Sequence, residues 1–349
     1  MTAVTTVRGL RMPAEWEPHE ATWLAWPHNR NDWPGKFAPI HWVYAEIVRL
    51  LHRQERVHLL VESERAERRA RRMLGQTGVA LTQVSFHRFP SDRSWVRDTG
   101  PIFVKKRKST VAVCWKFNAW AKYDNWRKDV AVGRKIARSA KKPVSEPALR
   151  GRRVVLEGGA IDVNGQGTLL TTEECLLGEV QQRNPGFTRE DWEGVFADHL
   201  GVRNVLWLGQ GIAGDDTHGH VDDLARFTGP RTVVTVVEDD PADVNYKPLR
   251  ENLARLRRMK DQEGRPLEVV KLPMPRSLLF QGVRLPASYA NFYIANGVVL
   301  VPTFNDPSDP VALNTLAKVF PDREIVGVHS VDLVWGFGTL HCATQQQPA

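Results

Sequence analysis

Long apolar runs are missing from this 349-residue chain. The longest, Val298–Pro302 and Val233–Val237, fall far short of the ~18 residues that cross a bilayer, so no membrane-spanning segment is expected. Residues 1–17 carry no apolar block of ~7–15 residues behind their basic residues and do not read as a secretory leader. Cysteine is scarce as well. Cys114, Cys175 and Cys342 are separated by 61 and 167 positions, an odd number with no C-x-x-C pair. That pattern argues against a disulfide framework and against a cysteine zinc site, and it fits a reducing compartment. The expectation is a soluble cytoplasmic protein. Zinc-finger, RRM-like and KH-like patterns are also missing, which bears on the charge balance below.

The composition is that of a chain with a core: 42% hydrophobic and 25% charged residues. At ~150 residues per domain the length allows two domains or one large repeat-built domain. The charge is +8, from 48 basic and 40 acidic side chains. A basic surplus raises the question of nucleic acid, but here it is local: Arg65–Arg72, Lys105–Lys108 and the stretch from Arg134 to Arg153. The first has helical periodicity with interspersed glutamates, and the second sits between two strand-like runs as a hairpin turn would. Both read as solvated faces, and no nucleic-acid partner is expected.

Amphipathic helices are predicted over His41–Gln54, Glu62–Leu74, Asp191–Leu200, Lys247–Gln262 and Pro310–Phe320. Thr188 and Asp191 have the spacing of a capping box, and Asp309-Pro310 offers an N-cap followed by a first-turn proline. Between the helices one strand–turn–strand pattern returns. It appears at Asp98–Cys114, at Glu157–Thr171 around Asn164-Gly165, at His220–Val237 around Gly229-Pro230, and at Tyr289–Pro302 around Asn296-Gly297. The recurrence, every ~60–70 residues, predicts an internally repeated α/β architecture of about five units. Thr22–Trp26 is the expected fifth inner strand. A single domain over 1–349 is preferred to two, and if five units close in a ring, the polar starts of the hairpins converge on one axis.

Those starts carry Trp95-Val-Arg-Asp98, Glu157-Gly-Gly159 and Gly219-His-Val-Asp222; Gly336–Cys342 is a fourth cluster. Singly each has an ordinary structural explanation, and together they supply a thiol, an imidazole and three carboxylates. With these motifs in place the sequence resembles the agmatine deiminases, in the guanidino-modifying pentein superfamily. The resemblance rests on Met12-Pro-Ala-Glu-Trp-Glu-Pro-His19, Thr22-Trp-Leu-Ala-Trp-Pro27, Phe117-Asn-Ala-Trp120, Thr168–Leu177, Gly214–Asp222 and His341-Cys342-Ala-Thr-Gln-Gln346, besides the clusters above. It implies a five-bladed α/β propeller and hydrolysis of a guanidinium to a ureido group and ammonia, without cofactor or metal.

By the same resemblance, Cys342 is the nucleophile and passes through a thiouronium intermediate. Asp98 and Asp222 hold the guanidinium nitrogens, His220 is the general acid and base, and Glu157 orients His220. Trp95 packs on the substrate chain, and Asp216 holds a distal amine where relatives commonly carry glutamate. Phe337 and Thr339 depart from the family pattern, which has glycine and asparagine there. The carboxylate cluster is expected to raise the thiol pKa until a cationic guanidine binds. Peptidylarginine deimination is the nearest alternative and shares Asp98, His220, Asp222 and Cys342; Asp216 favours an amine over a carboxylate. A remoter alternative takes His218-Gly-His220-Val-Asp222 as an HxHxD metal site. Cys114 and Cys175 are expected to be structural, with neither beside a histidine, and a homodimer is compatible with the pattern.

Overall fold

Apolar strands and one-sided helices alternate along the chain, and the computed structural model, which describes residues 9–107 and 109–349, shows how they combine. Residues 1–8, part of the leader reading, and Lys108 of the basic turn lie outside the described residues. Among the described residues no helix is long and apolar enough to cross a membrane.

Among the described residues five sheets share one strand order: a first strand antiparallel to the second, and the second parallel to the third. In three of them the trios are Asp162–Val163, Thr168–Thr172 and Asn204–Leu208; Ala225–Phe227, Thr232–Val237 and Glu268–Pro273; and Tyr293–Ile294, Val298–Thr303 and Glu324–His329. In the fourth, Ile102–Lys106, Ser109–Val113 and Val144–Ser145 follow the same order, with Leu10–Arg11 added at the edge. A parallel pair needs a crossover, and a helix supplies it in each case. The helices are Val132–Ser139, Arg189–Leu200, Tyr246–Leu256 and Asp309–Val319.

The fifth sheet draws on both chain ends. Thr344–Pro348 pairs antiparallel with His19–Ala25, which pairs parallel with Arg56–Val61 across the helix Phe37–Leu51. The expected inner strand Thr22–Trp26 holds the second position of its sheet, between Thr344–Pro348 and Arg56–Val61, and its strand stops at Ala25. Its apolar run fits that place, since a strand flanked on both edges and covered on both faces reads as continuously hydrophobic. Val84–Arg88 extends this sheet beyond Arg56–Val61.

The expected helices are present with shifted ends, at Phe37–Leu51, Glu64–Gln76, Arg189–Leu200, Tyr246–Leu256 and Asp309–Val319. The Thr188–Asp191 capping box forms in full. Asp309 does not cap its helix; Ser308 stands at the N-cap, and the Asp309 carboxylate accepts from the Phe304 and Asp306 N–H groups and from the Tyr289 hydroxyl. The arginines of Glu64–Gln76 pair with their own glutamates, Arg68 with Glu64 and Arg71 with Glu67. These are the i,i+4 pairs of a solvated face.

The polar hairpin starts are not strand. Single helical turns, Val96–Thr99, Gly158–Ala160, Val221–Asp223 and Leu340–Ala343, stand immediately before four of the first strands. Each turn bends the chain so that consecutive side chains point in different directions, and the polar ones are delivered to a shared buried space.

The C-terminal strand makes five paired positions with His19–Ala25, and the Trp23 indole N–H donates to the Gln347 side chain at 2.9 Å. Ending the chain at Ala343 removes those pairs from a buried strand. At roughly 1 kcal/mol per hydrogen bond plus lost apolar burial, the loss approaches the whole ~5–15 kcal/mol of a typical domain. We expect the truncated chain to show no cooperative thermal transition by circular dichroism; a melt like that of the full chain would refute this.

Candidate active site

A cavity of about 630 Å³ opens where the one-turn helices meet, lined by Trp95, Asp98, Trp120, Tyr123, Asp216 and Cys342 among others. Four of the sequence-derived site residues, Cys342, Asp98, Trp95 and Asp216, thus face one space. The other three, His220, Asp222 and Glu157, are completely buried behind it.

Cys342 sits on the turn Leu340–Ala343. Its Sγ lies 3.2 Å from Asn291 Nδ2 and 3.6 Å from Asp222 Oδ2. Burial pushes the thiol well above its ordinary range, and Asp222, Asp223 and Asp98 push the same way; the Asn291 amide opposes them. The expected suppression of the thiolate by carboxylates has this physical basis.

Asp98 is aimed by two donors, Trp120 Nε1 at 2.9 Å and the Gly159 N–H at 3.0 Å. Burial raises its pKa, and Asp222 and Glu157 add to the rise. Asp222 behaves oppositely: against its burial, the hydrogen bond from His341 holds its carboxyl below the usual range. His220 lies between carboxylates, with Nε2 3.6 Å from Glu157 Oε2 and Nδ1 3.9 Å from Asp222 Oδ1. Burial disfavours its charged form, but Asp98, then Cys175 and Glu157, outweigh it and raise the pKa well above the ordinary value. Glu157 accepts from Arg183 Nε at 3.2 Å, and that guanidinium keeps it ionised despite complete burial.

The Glu-Gly-Gly motif has a steric reason. A Cβ on Gly158 would lie 2.3 Å from the Arg97 carbonyl oxygen, and one on Gly159 would lie 2.5 Å from His220 Nδ1. Gly336 and Gly338 play the same part for Trp95, where added Cβ atoms would come within 3.0 Å of its ring. Between them Phe337 takes a φ of 64°, the left-handed conformation that glycine favours. The departure from the family's glycine therefore keeps the backbone shape and places an aromatic side chain on the cavity wall.

Asp216 accepts hydrogen bonds from Lys122 and, at 2.5 Å, from the Tyr123 hydroxyl. Its charge is therefore already paired. Arg93 stacks on Tyr123 at 4.5 Å and pairs with Asp32 at 2.8 Å on the same wall. Burial lifts the Asp32 carboxyl to about 6 despite Arg93.

Sequence reasoning missed Asn291, Lys122 and His341. Asn291 opens the hairpin Tyr289–Pro302, so the rule of polar hairpin starts points at it. Its Oδ1 accepts from Thr339 Oγ1 at 2.7 Å and from the His341 N–H at 3.1 Å, and its amide then faces the thiol. The reading of Cys175 needs correction. It packs beside His220, and among the described residues Glu157, Cys175 and His220 form the one group of histidine, cysteine and carboxylate ligands close enough to share a metal ion. The short helix Glu173–Leu177 brings Cys175 under a histidine 45 positions away in sequence. The HxHxD set is not brought together, since His218 turns toward Glu174 at 3.9 Å. Cys114 is buried in apolar surroundings, and burial lifts its thiol to about 12.

A thiol, a charged imidazole and paired carboxylates in one cleft define a cysteine-centred site for a planar cation. The family model described as Porphyromonas-type peptidyl-arginine deiminase matches residues 11–348. Agmatine deiminase of Pseudomonas aeruginosa (strain LESB58) is 37% identical over 372 residues, covering 100% of this chain and 98% of that protein. The structure of agmatine deiminase of Enterococcus faecalis superposes with a TM-score of 0.90 at 34% identity, covering 100% of this chain and 98% of the other. An amidinotransferase of Microseira wollei, at 11% identity and a TM-score of 0.53, shares the fold alone, covering 97% of this chain and 96% of that one. The chain belongs to the Porphyromonas-type peptidyl-arginine deiminase family, which here includes agmatine deiminases.

Two substitutions should move the thiol in opposite directions. Asp98→Asn removes a neighbouring anion, lowers the Cys342 pKa and speeds alkylation by iodoacetamide at neutral pH. Asn291→Ala removes a donor to the thiolate, raises the Cys342 pKa further and slows alkylation. Equal alkylation rates in both variants and wild type would contradict the electrostatic account.

Proposed function

We propose that this enzyme is a hydrolase of amidine C–N bonds that converts agmatine to N-carbamoylputrescine and ammonia. The observation that carries the reading is the placement of Cys342 Sγ and Asp98 on one cavity with Asp216, a thiol and an anion for the guanidinium end and an anion for the amine end. A guanidinium carbon is a poor electrophile, so a positioned strong nucleophile is needed. Asp98 and Asp222 would take its nitrogens as planar bidentate partners, and the bound cation would offset the carboxylates that suppress the thiolate.

Cys342 gives up its thiol proton to solvent, and the thiolate sulfur bonds to the guanidinium carbon. One C–N bond breaks, and the nitrogen leaves as ammonia with a proton from His220, giving a thiouronium. His220, held by Glu157, next takes a proton from water, whose oxygen bonds to the same carbon. The C–S bond breaks as the new hydroxyl gives its proton to solvent, releasing the ureido product and restoring the thiolate. Trp95, packed against Trp33 at 5.4 Å and held between two glycines, would flank the aliphatic chain. Each step is supported by burial, distance and charge around the groups named.

The architecture reading extends in the same way. We infer that the five like-ordered sheets form a five-bladed α/β propeller and a single domain over 1–349. Their shared strand order and the pairing of the two chain ends support it. The free cysteines suit a reducing, cytoplasmic setting.

The primary test is ammonia release from agmatine, arginine and a blocked arginyl peptide. Agmatine should be preferred, and Cys342→Ala should reduce turnover on the order of ten thousand-fold. Preference for the peptide would transfer the same chemistry to peptidylarginine deimination, and turnover that survives the substitution would overturn the mechanism. Lys122 gives a second test. Its ammonium competes with the substrate amine for Asp216 in a partly exposed pair, so Lys122→Ala should lower KM for agmatine by up to about fivefold. An unchanged or higher KM would place the amine elsewhere.

A further inference from the structure

The mechanism leaves His341, buried and beside the nucleophile in sequence, without a role. His341 is 2% exposed and lies between two carboxylates, with Nδ1 2.7 Å from Asp222 Oδ2 and Nε2 2.8 Å from Glu15 Oε2. An ionised carboxylate only accepts, so His341 Nδ1 donates to Asp222 Oδ2. Glu15 is itself held by Arg226 at 2.9 Å and by Arg97 at 3.2 Å. These cations and His341 keep it well below the usual carboxylate range against complete burial. A continuous line of contacts runs from the arginines through Glu15 and His341 to Asp222. Its effect on Asp222 is geometric as well as electrostatic. Oδ2 is engaged by His341, while Oδ1, also buried, has no hydrogen-bond partner and lies on the side of His220.

We propose that His341, anchored by Glu15, is a positioning residue for guanidinium binding: it pins Asp222 through Oδ2 and leaves Oδ1 turned toward the substrate. This rests on Asp222 being a guanidinium ligand, as argued above. The charged and titratable groups facing Asp222 are His341, His220, Arg226, Asp98, Asp223 and Cys342. Among them His341 makes the 2.7 Å contact and joins Asp222 to the N-terminal segment that carries Glu15. The residue also adjoins Cys342 in sequence, so one short helical turn sets both the nucleophile and the carboxylate opposite it.

The test uses Cys342→Ala, which binds without turnover, and measures agmatine affinity by calorimetry. His341→Ala should weaken binding roughly 10- to 100-fold, the range for losing a hydrogen bond to a charged group. His341→Asn keeps a donor where Nδ1 stands and should recover most of that loss. His341→Gln reaches toward Glu15 only and should not. Glu15→Gln should weaken binding in the same direction and by less.

In the active enzyme, losing the donor lets Asp222 protonate at higher pH. The acid limb of kcat/KM should therefore move upward in His341→Ala and His341→Gln and stay in place in His341→Asn. General damage to folding would lower activity without ordering these variants or moving the limb. Equal effects of Asn and Ala, unchanged binding in His341→Ala, or wild-type affinity in Glu15→Gln would each overturn the proposal. Asp222→Asn separates the two levels. If it weakens binding and His341→Ala does not, only this inference fails; if it does not, the guanidinium site itself is misassigned and the inference falls with it.

Discussion

Burying several carboxylates together is the constraint around which this molecule is organised. Asp98, Glu157, Asp222 and Asp223 are all inaccessible or nearly so and share one neighbourhood with Cys342. Ionised groups removed from water are costly unless paired, and like charges compound the cost. The chain compensates unequally. Glu157 has Arg183 and His220, and Asp222 has His341, so both stay charged. Asp98 has only an indole and a backbone N–H as hydrogen-bond donors, with His220 as the cation that opposes its rise, and its carboxyl moves upward. The residual deficit of positive charge lies at the cavity floor beside the thiol. A cationic guanidine is the ligand such a deficit selects, and the same deficit keeps the nucleophile protonated until that ligand arrives.

Much of this was legible in the sequence because it depends on local chemistry. The Asn164-Gly165 and Asn296-Gly297 turns, the capping box at Thr188 and the polar residues opening each hairpin mark the repeating unit directly. The five catalytic candidates lie in these motifs and in Gly336–Cys342, and their roles come from the family resemblance. Illegible parts depend on contacts between units. Nothing near Cys175 in the chain signals His220, and nothing near Glu15 signals His341, because each pair meets only when separate sheets pack. The one-turn helices escaped notice for a related reason: four residues such as Val96–Thr99 are too few to show a 3.6-residue period. The place of Thr22–Trp26 within its sheet is illegible as well, because an apolar run does not say which position in a sheet it fills.

The distal end of the cavity follows a different rule from the floor. There Asp216 is matched by Lys122, and Arg93 by Asp32, so the wall is close to neutral in pairs although charged in its parts. A ligand amine gains little from meeting Asp216 unless it releases Lys122. Selectivity for the chain end is thus an exchange of partners, smaller in energy than guanidinium capture at the unbalanced floor. The floor and the distal end of the cavity thus differ in charge balance, the one unbalanced and the other paired.

The buried charges also tie catalysis to closure of the fold. Replacing a buried ion network by apolar side chains often leaves stability unchanged or improves it, so stability alone does not explain Arg226 and Glu15 in the interior. Their placement does. Glu15 lies just before the strand His19–Ala25, and His341 and Cys342 just before Thr344–Pro348, and those two strands pair with each other. The Arg97 side chain bonds to the His341 carbonyl and to Gln346, linking the turn that carries Asp98 to the same junction. The first and last segments of the described chain therefore complete one sheet, one charge network and one nucleophile in the same set of contacts. A chain whose ends have not met has its carboxylates but neither a held Asp222 nor a placed thiol, and so assembly of the site coincides with closing the sheet.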